Sequence, residues 1–266
     1  MNARELLTDY WHFSPLSIVI ALSLLAFQVF LNRRASAGKQ VLFSTGILLM
    51  LLTTVSPLAY LGRYYLFSVH MLNHIVLLLV VPPLLLSGLD GGLVLRLKSA
   101  PFKKAGDVIF STPVAWLAGM GAMYFWHIPS VFGAMKNSEV LHGVHIVSLL
   151  VLGLIFIWPV YAPVPWKRLG GLQSALYLFI ACVGCTILGI LITFDPALVY
   201  LHGFQGDNAA IWGLLRNTWG IRPAIDQQAG GLIMWVPACM IYLTNIMLIL
   251  AGFYRQPDES DHLEKT

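Results

Sequence analysis

Apolar residues run continuously along this chain rather than in alternation, and the runs are about as long as a bilayer is thick. A helix needs about 20 apolar residues to cross the hydrocarbon core. Seven stretches approach that length: 15–31, 41–60, 66–88, 113–130, 140–161, 172–194 and 227–253. Continuous rather than alternating apolarity excludes barrel strands. The pattern therefore predicts an all-α polytopic membrane bundle with seven transmembrane helices. The first stretch starts late and lacks a small-residue cleavage site, so it is expected to be a span and not a signal peptide. Pro57, Pro82, Pro83 and Pro237 fall within spans. Each removes a helical hydrogen bond, so kinks are expected there, most strongly at the Pro82 and Pro83 pair. The longest connection, Asp195 to Asp226, carries tryptophans and leucines. Residues Asn208 to Asn217 read as a short amphipathic helix on the membrane interface.

Composition agrees with this picture. Of 266 residues, 58% are hydrophobic and 11% charged. Soluble domains carry about 25% charge, so an ordinary soluble globule is excluded, and so is a disordered chain. Three cysteines in this length do not make a disulfide scaffold. The net charge of +4 would suggest nucleic acid in a soluble protein, but here it has another origin. Lys and Arg fall unequally on the two sides. Arg33, Arg34, Lys39, Arg96, Lys98, Lys103, Lys104, Lys167, Arg168, Arg255 and Lys265 share one side. Arg4, Arg63, Lys136, Arg216 and Arg222 share the other. The positive-inside rule then places the N-terminus outside and the C-terminus in the cytoplasm. No nucleic-acid partner is needed. Residues 1–254 form a single seven-helix transmembrane domain in this reading, and 255–266 a polar cytoplasmic tail.

Intramembrane ionisable residues are costly and usually functional. With this orientation, His70, His74, His127, His142 and His145 all lie in the outer halves or outer ends of spans three to five. Asp226 opens the seventh at the same depth. His12 and His202 are also on the outer side, and only His262 is cytoplasmic. His70 and His74 are four apart, His142 and His145 three apart, so each pair shares a helix face. Neutral imidazole binds zinc, copper, iron and nickel. Met71 and Met234 are possible soft thioether donors, which favour Cu(I). Two facing histidines also suit haem. Histidines of this kind also stabilise helix packing by hydrogen bonding. Spacing alone leaves copper, haem and packing open. Asp226 is expected in the first shell of a metal or orienting one of its ligands.

Cys182 and Cys185 form a C-x-x-C in the sixth span, with Cys239 at similar depth in the seventh. Dry mid-bilayer thiols are usually inert. Trp11, Trp126, Trp158 and Trp166 read as interfacial anchors. No phosphate-binding loop, dinucleotide fingerprint, zinc-protease motif or nucleophile motif occurs, so no catalytic residues are assigned and no enzymatic activity is expected.

Four segments resemble one family. His70 to Gly88 (HMLNHIVLLLVVPPLLLSG) resembles the third-span signature of the polytopic CtaG family, the assembly factors of caa3-type cytochrome c oxidase. Trp126 to Pro129 (WHIP), the pair His142 and His145, and Asp226 to Trp235 (DQQAGGLIMW) fall where that family carries its own motifs. Asn73 stands where the signature often has glutamine, a change of one amide for another. The resemblance implies a seven-helix fold in a bacterial inner membrane and a role in maturing a haem–copper oxidase, with oxidase subunits as partners among membrane lipids. The copper donor is not implied. A copper transport or resistance permease and a haem-binding membrane protein are the alternative expectations.

Overall fold

The computed structural model describes residues 3–92, 106, 108–164, 168–200, 203–204 and 206–254. Among them all regular structure is helical, with no strand. In chain order the helices are α1 (Ala3–Asp9), α2 (Pro15–Phe30), α3 (Ala37–Val55), α4 (Pro57–Tyr64) and α5 (Phe67–Ser87). They continue with α6 (Thr112–Trp126), α7 (Pro129–Lys136), α8 (Glu139–Tyr161), α9 (Gly171–Phe194), α10 (Ala209–Gly213) and α11 (Pro223–Tyr254). Proline sits in the opening turn of α2, α4, α6 and α7. There its missing N–H costs no intrahelical bond.

Five of these helices, α3, α5, α8, α9 and α11, are long and apolar enough to cross a membrane. The first and fourth expected spans are shorter than anticipated. Helix α2 has 16 residues and α6 has 15, or about 24 Å and about 22 Å at 1.5 Å per residue. The reason at α6 is local. Pro129 disfavours helical geometry at the residue before it, and Ile128 is extended, with φ −65° and ψ 123°. The helix ends at Trp126 and restarts as α7. The second expected span likewise stops at Ser56, ahead of Pro57. Large apolar side chains on outward faces, such as Phe30, Leu172 and Phe194, are more than two-thirds exposed. Such a surface matches hydrocarbon rather than water.

The anticipated kink at Pro82 and Pro83 takes the form of a wider π turn over Val76–Val80 within α5. A proline offers no N–H to the carbonyl four residues back, and the wider turn absorbs the mismatch. The Leu78 carbonyl then packs on Gly153 of α8, where a Cβ would sit 2.7 Å away.

Helices α9 and α11 pack along most of their length, and α5 lies against α11, α8, α3 and α4. One core cluster fills the bundle. A second, of Leu6, Leu61, Tyr65, Leu66, Ile211, Leu214 and Leu215, joins α1, α4 and the segment around α10. The expected amphipathic helix at Asn208–Asn217 is therefore α10 followed by a π turn at Leu214–Thr218. Asn208 caps it by accepting from the Ala210 and Ile211 amides. Its apolar face is buried on protein. The run Arg96 to Lys104, Lys167, Trp166, His202, His262 and the tail 255–266 lie outside the described residues.

Candidate metal centre

The first two turns of α5 carry His70, Met71 and His74 on one face, all buried. The first two turns of α8 carry His142 and His145, and His127 caps the end of α6. These three helix ends meet. One ring nitrogen from each of His70, His74 and His145 lies within 4.8 Å of the others. The closest pair is His145 Nε2 and His74 Nδ1, 3.4 Å apart. The rings of His70 and His145 stack at 5.3 Å.

The remaining predicted residues extend this group unequally. The His127 ring lies 4.9 Å from that of His74, and its Nε2 is 3.2 Å from Met71 Sδ. His127 Nδ1 contacts the Met123 carbonyl at 2.5 Å, which fixes the ring on its own helix end. His142 stacks on His145 at 6.1 Å, one step outward. Asp226 does not belong to the group of three. Its buried carboxylate accepts from the Phe67 amide at 2.7 Å, the Ser68 amide at 3.0 Å and the Ser68 hydroxyl at 2.5 Å. It therefore caps the start of α5, where a carboxylate satisfies orphan amides and complements the helix dipole. Met234 is fully buried on α11, and its carbonyl accepts the Cys185 thiol at 3.0 Å.

Several residues of the site escaped sequence reading. Trp126, expected as an interfacial anchor, is 6% exposed. Its ring edge meets His145 at 4.9 Å and its indole N–H donates to Ser148. Tyr200 donates to the His127 carbonyl at 2.7 Å. Burial, followed by the charge of Asp195, pushes its phenol up to about 12, so the donor persists at physiological pH. Arg63 and Lys136, counted as outer charges, are both buried. Arg63 donates to the Met135 carbonyl at 2.9 Å and pairs with Glu139 at 3.3 Å. Lys136 donates to the Gly62 and Arg63 carbonyls and lies 3.9 Å over Phe204. Burial pushes its ammonium well below the ordinary lysine range; Arg63 adds to this and Asp226 opposes it. A cue was present for Arg63, a lone cation in the aromatic run Tyr60 to Phe67.

A cavity of about 50 Å³ borders His70, His74, His142 and His145. It has room for an ion or a water or two. The donor set fits a metal. Tetrahedral nitrogen ligands at 2.0–2.1 Å from an ion stand about 3.4 Å apart, which is the His74 to His145 separation. Nε2 of His74 and Nδ1 of His145 are buried without a hydrogen-bond partner. Each is the second nitrogen of a ring whose other nitrogen belongs to the 3.4 Å pair, so an ion held by that pair would not reach it, and a buried polar atom left unpaired costs about 1–3 kcal/mol.

The sequence matches the family model for the cytochrome c oxidase caa3 assembly factor over residues 23–256. An uncharacterised protein of Mycobacterium leprae (strain TN) is 25% identical over 275 aligned positions, covering 92% of this chain and 40% of that protein. The chain thus spans about two-fifths of the length of the curated relative it matches. No solved structure matches it.

Proposed function

Because this chain belongs to the family of cytochrome c oxidase caa3 assembly factors, we propose that it holds copper transiently at His70, His74 and His145 and passes it to an oxidase subunit. The role is non-catalytic, and copper is its cargo. The observation that carries this reading is the buried imidazole triad, with one ring nitrogen of each histidine within 4.8 Å of the others. His127 and Met71 flank the triad and supply a further imidazole and a soft thioether. A cavity of about 50 Å³ favours an ion over haem, since pockets for organic cofactors run to about 300–1,000 Å³. Asp226 acts at one remove in this reading, by fixing the helix that carries two of the ligands.

The setting proposed is a bacterial inner membrane, with seven spans, the histidine end outside and the tail in the cytoplasm. The two shorter helices, α2 and α6, complete the seven. The bias of Lys and Arg toward one set of connections supports the orientation.

The test is the metal content and absorption spectrum of detergent-purified protein after loading with Cu(I), beside a His70→Ala, His74→Ala double variant. Near-stoichiometric copper in the wild type, lost in the variant and without a Soret band, is expected. Copper retained by the variant, or absent from both proteins, would return the histidines to a packing role.

A further inference from the structure

The cavity beside the triad does not stop at buried residues. The same walls include His12, which is exposed, together with Arg63, Glu139 and His142. His12 is held in place. Its amide donates to the Val55 carbonyl at 2.9 Å, and its own carbonyl accepts from the Ser14 amide. The turn before α2 is thus strapped to the end of α3, with the imidazole at the cavity's mouth. His142 follows, partly buried, with Nδ1 unpartnered. It stacks on His145, which stacks in turn on His70. Exposure therefore falls step by step from His12 to His142 to the triad.

We propose that His12 and His142 form a loading port, through which a soft monovalent cation of the Cu(I) type reaches the triad by ligand exchange. This rests on the reading of the triad as a copper site. A bare ion does not cross a low-dielectric gap, because each step needs a ligand waiting before the last one leaves. From His142 inward, imidazoles in ring contact provide that, and His12 shares the cavity wall with His142. At each transfer one metal–nitrogen bond forms as another breaks, and no electron changes place. Arg63 and Glu139 neutralise each other at the wall. The port therefore adds no net negative charge to offset a dication, and neutral nitrogen donors suit a monocation. Glu139, mostly exposed, stands at the outer edge of this pair.

The experiment separates rate from capacity. Detergent-purified full-length protein is mixed with Cu(I) supplied as its bicinchoninate complex. Loss of the complex's colour is followed in time, and bound copper is measured at the end point. His12→Ala is expected to load roughly tenfold more slowly and to reach the same stoichiometry. His142→Ala is expected to load more slowly too, with His142→Gln as a second variant and thermal melting of each as a check on folding. A His12→Ala protein that loads as fast as wild type overturns the port and leaves the triad reading intact. A wild type that takes up no Cu(I) at all overturns the triad reading itself, and the port with it.

Discussion

Replacing Asp226 with asparagine separates two roles that its position in the sequence cannot. The carboxylate is 3% exposed and accepts three hydrogen bonds at the start of α5. The asparagine side chain would keep one oxygen and turn the other into a donor. Whichever way the amide faces, an NH2 then meets the Phe67 amide or the Ser68 donors. One charge-assisted bond is lost, worth about 1.5–3 kcal/mol, and buried donors are left facing each other at a further 1–3 kcal/mol or so. The charge at the helix N-terminus adds about 0.3–1 kcal/mol. Relaxation recovers part of this, so a loss of about 3 kcal/mol is expected, or about 6–12 °C in melting temperature for a chain of this size. The assay is thermal unfolding in detergent, run on metal-free protein and again after Cu(I) loading. A capping role predicts that Asp226→Asn melts lower in both samples. If the metal-free variant melts with the wild type and only the loaded sample differs, the carboxylate holds an ion, and the capping account is wrong.

Tyr200→Phe removes the donor to the His127 carbonyl and is expected to cost about 1–2 kcal/mol, read as a lower melting temperature. The Tyr200 phenol has its folded value raised to about 12 from about 10 when unfolded. Its contribution is therefore full below pH 10 or so and lost as pH climbs toward 12, and the wild-type minus Tyr200→Phe difference should shrink over that window. Gly231→Ala places a Cβ 2.6 Å from the Thr193 amide, between α9 and α11. Overpacking of about 1–3 kcal/mol is expected, and expression of folded protein that matches wild type would contradict the close approach. The sulfurs of Cys182 and Cys239 are 2.9 Å apart, while Cys185 donates to the Met234 carbonyl. Buried thiols react slowly, but any disulfide formed by a membrane-permeant two-electron thiol oxidant such as diamide should therefore join Cys182 and Cys239, as read by mass spectrometry, and leave Cys185 reduced. A cross-link that includes Cys185 would refute this pairing.

Hydropathy was enough to read a helical membrane protein here, because crossing hydrocarbon forces long apolar helices whatever their packing. Spacing was enough to put His70 with His74, and His142 with His145, because the helical period fixes which residues of one helix share a face. Both readings use physics internal to a single element. Where neighbouring residues broke an element, hydropathy went astray. It ran through Pro57 and Pro129, and the helices stop there.

Relations between elements were not legible in this way. Asp226 was read as a metal ligand or the orienter of one, yet its partners are two amides and a hydroxyl about 160 positions earlier in the chain. Trp126 has the composition of an interfacial anchor, but α8 covers it and turns it into a wall of the histidine site. Arg63 counted only as an outer-side charge, and the break before α4 turned it toward Glu139 and the Met135 carbonyl. The sequence by itself determined a helical chain with stretches long and apolar enough to cross a membrane and the residues that share each helix face. Only the tertiary structure decided which faces meet, because that depends on close approach and side-chain pairing between segments that share no local period.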